Sequence, residues 1–156
     1  RANFLRLIRV SPYTDVHGRV LSCSVVKVTN MSKEVIYSDK APEPIGPYSQ
    51  AVKNHHWLFV SGQIAIDRKT GNLVTTNIAE ETMMVMKNLE HILTAAGLDF
   101  HHVVKCSIFL KNMADFPKVN EVYGSYFTHN PPARETVEVS RLPKDVNVEI
   151  SCIAMG

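Results

Sequence analysis

The amino-acid sequence predicts an α+β fold, one β-sheet with two helices packed on one face. Two segments repeat apolar residues at helical spacing, and five shorter ones are apolar or alternating over strand length. Their order is β, β, α, β, α, β, β, which suits a sheet covered by helices on one side. The 156 residues are enough for one domain with a real core, since a chain of this length hides roughly 70% of its unfolded surface.

Val35–Tyr37 is a short strand candidate, followed by the Pro/Gly-rich loop APEPIGPYSQA from Ala41 to Ala51. Trp57–Ile66 reads as a strand in which Gly62 marks a bulge or a close backbone approach. Asp67–Asn72 is a turn. Asn77–Ala96 is the clearest helix: Asn77 can cap it, Glu80 sits three residues on, and Gly97 ends it. Its apolar stripe runs through Ile78, Met86, Leu89, Ile92, Leu93 and Ala96, and its methionines read as core filler. Val103–Leu110 is a strand. Asp115–Thr128 is a second helix, with Asp115 as cap, Pro117 in the first turn, and Val119, Val122, Tyr123, Tyr126 and Phe127 on its apolar face. Arg134–Val139 and Val148–Met155 complete the sheet, joined by RLPKDVN. A sheet with helices on one face leaves the other to be hidden, so self-association is expected.

Composition is that of a globular protein, 45% hydrophobic and 21% charged, with no apolar run near the roughly 18 residues a bilayer span needs. Charge is uneven. Residues 1–30 carry Arg1, Arg6, Arg9, Arg19 and Lys27 against Asp15 alone, while the remaining 126 carry 12 basic and 14 acidic groups. The slightly acidic remainder gives no general electrostatic case for nucleic acid as a partner. The Arg-rich, acid-poor start is separated from a domain spanning 31–156. It has the composition of an organelle transit peptide, with Met31 a plausible start for a shorter form; an artefact or a native extension is the other reading. Cys23, Cys106 and Cys152 form no CxxC pair, which excludes a zinc ribbon or a redox motif and suits a reducing, cytoplasmic compartment, or a mitochondrion or other organelle if residues 1–30 target it.

The chemistry-bearing residues are few. His55–His56 and His101–His102 lack the i, i+4 spacing and carboxylate partners of a metal site, so no metal is expected. No GxGxxG, Walker A or GxSxG sequence is present. In the last strand Val148, Ile150, Cys152 and Ala154 share one face, which turns Glu149 and Ser151 to the other. Arg134 and Glu149 lie on neighbouring candidate strands. They either pair as a salt bridge or act as a carboxylate-binding fork beside a water-positioning carboxylate.

An ordered set of segments resembles the Rid (YjgF) family of reactive-intermediate deaminases: APEPIGPYSQAV (41–52), FVSGQIAID (59–67), NLEHILTAAGL (88–98), VVK (103–105), DFPKVNEVY (115–123), PPAR (131–134) and VEVSRLPKDVNVEI (137–150). The resemblance covers about Val35 to Met155 and omits residues 1–30. It implies a homotrimer of chorismate-mutase-like subunits, each a mixed β-sheet backed by two helices, with sites in the clefts between subunits. The implied reaction hydrolyses 2-aminoacrylate and related 2-enamine/2-imine acids, released by pyridoxal-phosphate-dependent dehydratases, to 2-keto acids and ammonia. The deaminase itself is expected to need no cofactor.

By the same resemblance Arg134 clamps the substrate carboxylate, Glu149 positions water and handles its proton, and Tyr48 lines the pocket within hydrogen-bonding reach. Asn120, Ser61 and Gly62 fall at substrate-binding positions. Two departures stand out. Many bacterial members follow the arginine with a small residue and a cysteine, where this chain has Glu135 and Thr136. Ser151 replaces a common glutamate. Alternation places Glu135 beside Val137 and Val139, where a buried carboxylate would be costly unless it pairs with Arg134 or a neighbouring subunit's cation. The alternatives to deamination are a non-catalytic binder of small carboxylates or chaperone, and an endoribonuclease or translation inhibitor.

Overall fold

The computed structural model describes Val16 and residues 33–156. Apart from Val16, the segment 1–30, and with it the expectation of a transit peptide, lies outside the described residues. Lys33–Gly156 forms a unit of its own.

Six strands and two helices make up this unit: β1 (Glu34–Ile36), β2 (Ala51–Asn54), β3 (Trp57–Gln63), α1 (Ile78–Ala95), β4 (Val103–Leu110), α2 (Phe116–Tyr126), β5 (Ala133–Glu138) and β6 (Val148–Met155). The sheet order is β1-β2-β3-β6-β4-β5. Only β4 and β5 run parallel, so the sheet is mixed as expected.

One strand escaped the sequence reading. Residues Ala51–Asn54 pair antiparallel with Trp57–Val60, joined by His55 and His56. His55 takes φ 53°, a left-handed conformation that usually advertises itself through glycine or asparagine. Without that signal the hairpin read as the end of a loop.

Alternation decides which face is buried. Leu58 and Val60 of β3, Cys106, Ile108 and Leu110 of β4, and Val148, Ile150, Cys152 and Ala154 of β6 pack against Val85, Met86, Leu89, Ile92 and Leu93 of α1 and Val119 and Tyr123 of α2. Cys106 and Cys152 are core residues, and burial pushes both thiols up. Asn77 caps α1 as expected, its Oδ1 accepting from Glu80 N at 2.9 Å. Asp115 caps nothing with its side chain. Asn112 does so one turn earlier, accepting from Ala114 N at 2.9 Å at the start of a 3₁₀ turn that leads into α2. The paired histidines also have local roles. His102 Nδ1 meets Asp99 Oδ1 at 2.8 Å in a capping box, and His56 Nδ1 lies 3.1 Å from Gly156 O. Among the described residues no helix is long and apolar enough to cross a membrane.

Candidate active site

The site begins with a break in β3. Its register against β6 shifts between Val60 and Gln63, and Gly62 lies in that irregularity. Glu149, on the side of β6 away from the helices, lays its carboxyl over Gly62. A Cβ built on Gly62 would stand 1.8 Å from Glu149 Oε1 and 2.8 Å from Cδ, so only glycine leaves room for it. The Glu149 carboxyl is half-buried, and this burial raises its pKa above the usual glutamate value.

The Ala41–Gln50 loop forms the opposite wall. Buried Gln50 ties it down: its Oε1 accepts from Ser38 N at 2.6 Å, and its Nε2 donates to Ser38 O at 3.1 Å and Pro42 O at 2.8 Å. Ser61 joins loop and bulge, its Oγ donating to Ser49 O at 2.7 Å and its N to Gln50 O at 3.0 Å. Tyr48 Oη accepts from Ile45 N at 3.3 Å and keeps its own proton available to donate. Tyr48, Ser61, Gly62 and Glu149 thus line one cleft of about 340 Å³, closed on other sides by Ile45, Ile64, Ile66 and Pro143.

Arg134 and Asn120 lie elsewhere. β6 is separated from β5 by β4, so the expected neighbourhood of Arg134 and Glu149 is not formed within the chain. Arg134 is in register with buried Cys106 and turns to the helix side, whereas Glu149 turns away from it. The reason is the late insertion of β6, antiparallel between β3 and β4, which strand patterning cannot reveal. On the helix side Arg134 Nη1 donates to Asn120 Oδ1 at 2.8 Å, and its Cζ lies 4.9 Å from the Tyr123 ring centroid and 5.6 Å from that of Phe116.

Glu135 neither meets Arg134 nor is buried. It points to the opposite, exposed face, where Lys105 Nζ stands 2.5 Å from Oε2 and Ser107 Oγ donates to Oε1. These two partners, Lys105 foremost, hold its carboxyl below the usual range. Arg134 is therefore not neutralised by its sequence neighbour.

Three supporting residues carried no sequence signal. Gln50 reads as a loop amide. Glu81 is fully buried in the first turns of α1 and accepts from Asn147 N and Nδ2, both at 2.7 Å. Asn88 Nδ2 donates to Ile64 O at 3.1 Å and Ile66 O at 3.0 Å. They fix the segments that wall the cleft. Among the described residues no group of three His, Cys, Asp or Glu side chains is placed to hold a metal ion.

The model of the family described as Endoribonuclease L-PSP matches residues 38–156. The chain belongs to this family, also called YjgF/RutC/Rid. Its Rid relatives include a RutC family protein of Pyrococcus horikoshii, 54% identical over 122 residues that span 78% of this chain and 97% of that one. The 2-iminobutanoate/2-iminopropanoate deaminase of Homo sapiens is 44% identical over 128 residues, covering 82% of this chain and 93% of that one. Among solved structures, Escherichia coli TdcF with bound serine superposes with a TM-score of 0.76 at 36% identity, covering 79% of this chain and 98% of that one.

Proposed function

We propose that the protein hydrolyses 2-imino acids and their enamine tautomers, such as 2-aminoacrylate, to 2-keto acids and ammonia. The observation that carries this reading is the Glu149 carboxyl, seated over Gly62 in the cleft with its pKa raised by burial. A carboxylate with a raised pKa is a better base near neutral pH. As water oxygen bonds to the imine carbon, Glu149 takes the proton that water releases. It returns that proton to nitrogen, giving a carbon that bears both hydroxyl and amine; the same carboxylate then carries the hydroxyl proton to nitrogen, so that the C–N bond breaks, the carbonyl forms and ammonia leaves. Tyr48 can donate its hydroxyl proton to the substrate, and Arg134, steadied by Asn120, supplies a planar fork for the α-carboxylate. The deaminase names of relatives support the reaction. Serine bound to TdcF is a small α-carboxylate ligand of the kind an arginine fork suits.

Arg134 and Glu149 lie on opposite sides of the sheet. A small acid can touch both only if the arginine comes from a second copy. We therefore place the site between protomers of a homotrimer. The endoribonuclease in the family's description finds less support at this cleft: the lining that one chain supplies holds Glu43 and Glu149 and no lysine or arginine, and a single arginine from a second copy is no basic track for a phosphate backbone.

The test couples the purified protein to a threonine dehydratase and follows release of 2-oxobutanoate. Wild type is expected to accelerate it, while Arg134→Ala and Glu149→Gln lose about 10²- to 10⁴-fold with assembly intact. The wild-type rate should fall as pH drops through the raised Glu149 pKa, because only the ionised form is a base. Full activity in either variant overturns its assigned role. RNA cleavage abolished by these substitutions, or 2-oxobutanoate binding without acceleration, overturns the deaminase reading.

A further inference from the structure

We infer that Tyr123 is the positioning residue for Arg134, acting through the face of its ring, with Phe116 assisting. The inference rests on the proposed role of Arg134 as carboxylate clamp and names what holds that clamp in place.

Phe116, Asn120, Tyr123 and Phe127 follow one another at spacings of four, three and four, so they share one face of α2 and its C-terminal turn. Arg134 reaches that face from β5, an edge strand. Its side chain is long, exposed and on that account mobile unless held. Asn120 accepts from Nη1 at 2.8 Å and holds one donor. Tyr123 holds the plane: Cζ lies 4.9 Å from its ring centroid, within the range of an attractive cation–π contact, and 5.6 Å from that of Phe116.

This arrangement suits a clamp. A carboxylate partner would occupy the edge donors of the guanidinium. An aromatic face occupies none of them, so the remaining N–H groups stay free to fork onto a substrate. The ring is itself immobile. Tyr123 is 4% exposed and lies 4.6 Å from the ring of Phe127, which stands edge-on to Phe100 at 5.3 Å. Its hydroxyl is buried, faces the Cys106 thiol, a weak hydrogen-bonding group, and makes no other hydrogen bond among the described residues. Its ring, by contrast, has a charged partner in Arg134.

The experiment replaces Tyr123 by Phe, by Leu, and by phenylalanines of increasing ring fluorination, which drain the π-face with little change in shape. Dissociation constants for 2-oxobutanoate are measured on each, and the Arg134 Nε–Hε resonance is followed by NMR. Tyr123→Phe should bind like wild type. Progressive fluorination should weaken binding stepwise to about three- to tenfold, and Leu by at least as much. The ring-current shift of the Arg134 resonance should shrink in Tyr123→Leu to what the more distant Phe116 ring leaves. If Arg134→Ala weakens binding but every fluorinated variant binds like wild type, the inference falls and the clamp stands. If Arg134→Ala binds like wild type, the clamp falls and the inference with it. Tyr123→Leu is open to the objection of lost packing, but the fluorinated series is not.

Discussion

Gly62 and Glu149 constrain each other, and the constraint is testable by adding one methyl group. Gly62 has no positive φ, so alanine brings no backbone strain there. What its Cβ meets is the flexible end of the Glu149 side chain. Gly62→Ala is therefore expected to leave the fold intact, with a melting temperature within a few degrees of wild type, while displacing the carboxyl. Misplacing a catalytic group by about 1 Å can lower turnover by roughly 10²-fold, and the coupled dehydratase assay would read that loss. A large fall in melting temperature with retained turnover would show that backbone yields in place of the carboxyl. At this scale part of the cleft's lining was legible in the sequence. Glu149 stood out because its neighbours Val148 and Ile150 alternate away from it, and Gly62 because a glycine inside a strand needs a reason. The surroundings of Arg134 and Glu135 were not legible. Adjacent in sequence, they turn to opposite faces of an edge strand, and their partners Asn120, Tyr123, Lys105 and Ser107 come from other elements.

The elements that wall the cleft are held by a buried carboxyl. Glu81 in α1 accepts two hydrogen bonds from Asn147, at the end of the β5–β6 connection that brings Pro143 to the cleft. The same connection carries Lys144 and Asp145 at φ 54° and 59°, conformations that ordinary side chains adopt at a cost. Leu142 and Val146, buried beside Ile64, and the Lys111–Asp145 contact at 2.9 Å keep it in place. Glu81→Ala removes both acceptors while the Asn147 donors stay partly buried. A loss of about 2–4 kcal/mol is expected by chemical denaturation, with a smaller one for Glu81→Gln, which keeps one acceptor oxygen. A loss below about 0.5 kcal/mol in Glu81→Ala would mean that water replaces the carboxyl freely. The sequence could not single out Glu81 from Glu80, since two adjacent glutamates in a first helical turn look alike until the connection packs on one of them. Both helices were legible from their period. β2 was hidden by a hairpin turn built on His55, and the strand order by contacts between residues far apart in the chain.

At the scale of the whole Lys33–Gly156 unit, no other described element covers an apolar row on one face of the sheet. Val35, Val52, Phe59 and Ile153 stand in register across β1, β2, β3 and β6 on the side away from the helices. Val35 is 56% exposed and Phe59 49%. Such a row is costly to leave in water, and a second copy of the chain would cover it while bringing a new Arg134 toward Glu149. If the site is shared in this way, two inactive proteins should make an active one. Arg134→Ala subunits retain Glu149, and Glu149→Gln subunits retain Arg134. Mixed at equal amounts, dissociated and reassembled at random, they place an intact arginine opposite an intact glutamate in roughly a quarter of the sites of a cyclic assembly. Turnover should rise from the background of either variant to about that fraction of wild type, and only after subunit exchange. A site contained within one chain recovers nothing, because no chain in the mixture holds both residues. The outcome therefore separates a shared site from a private one without depending on how fast the intact site works.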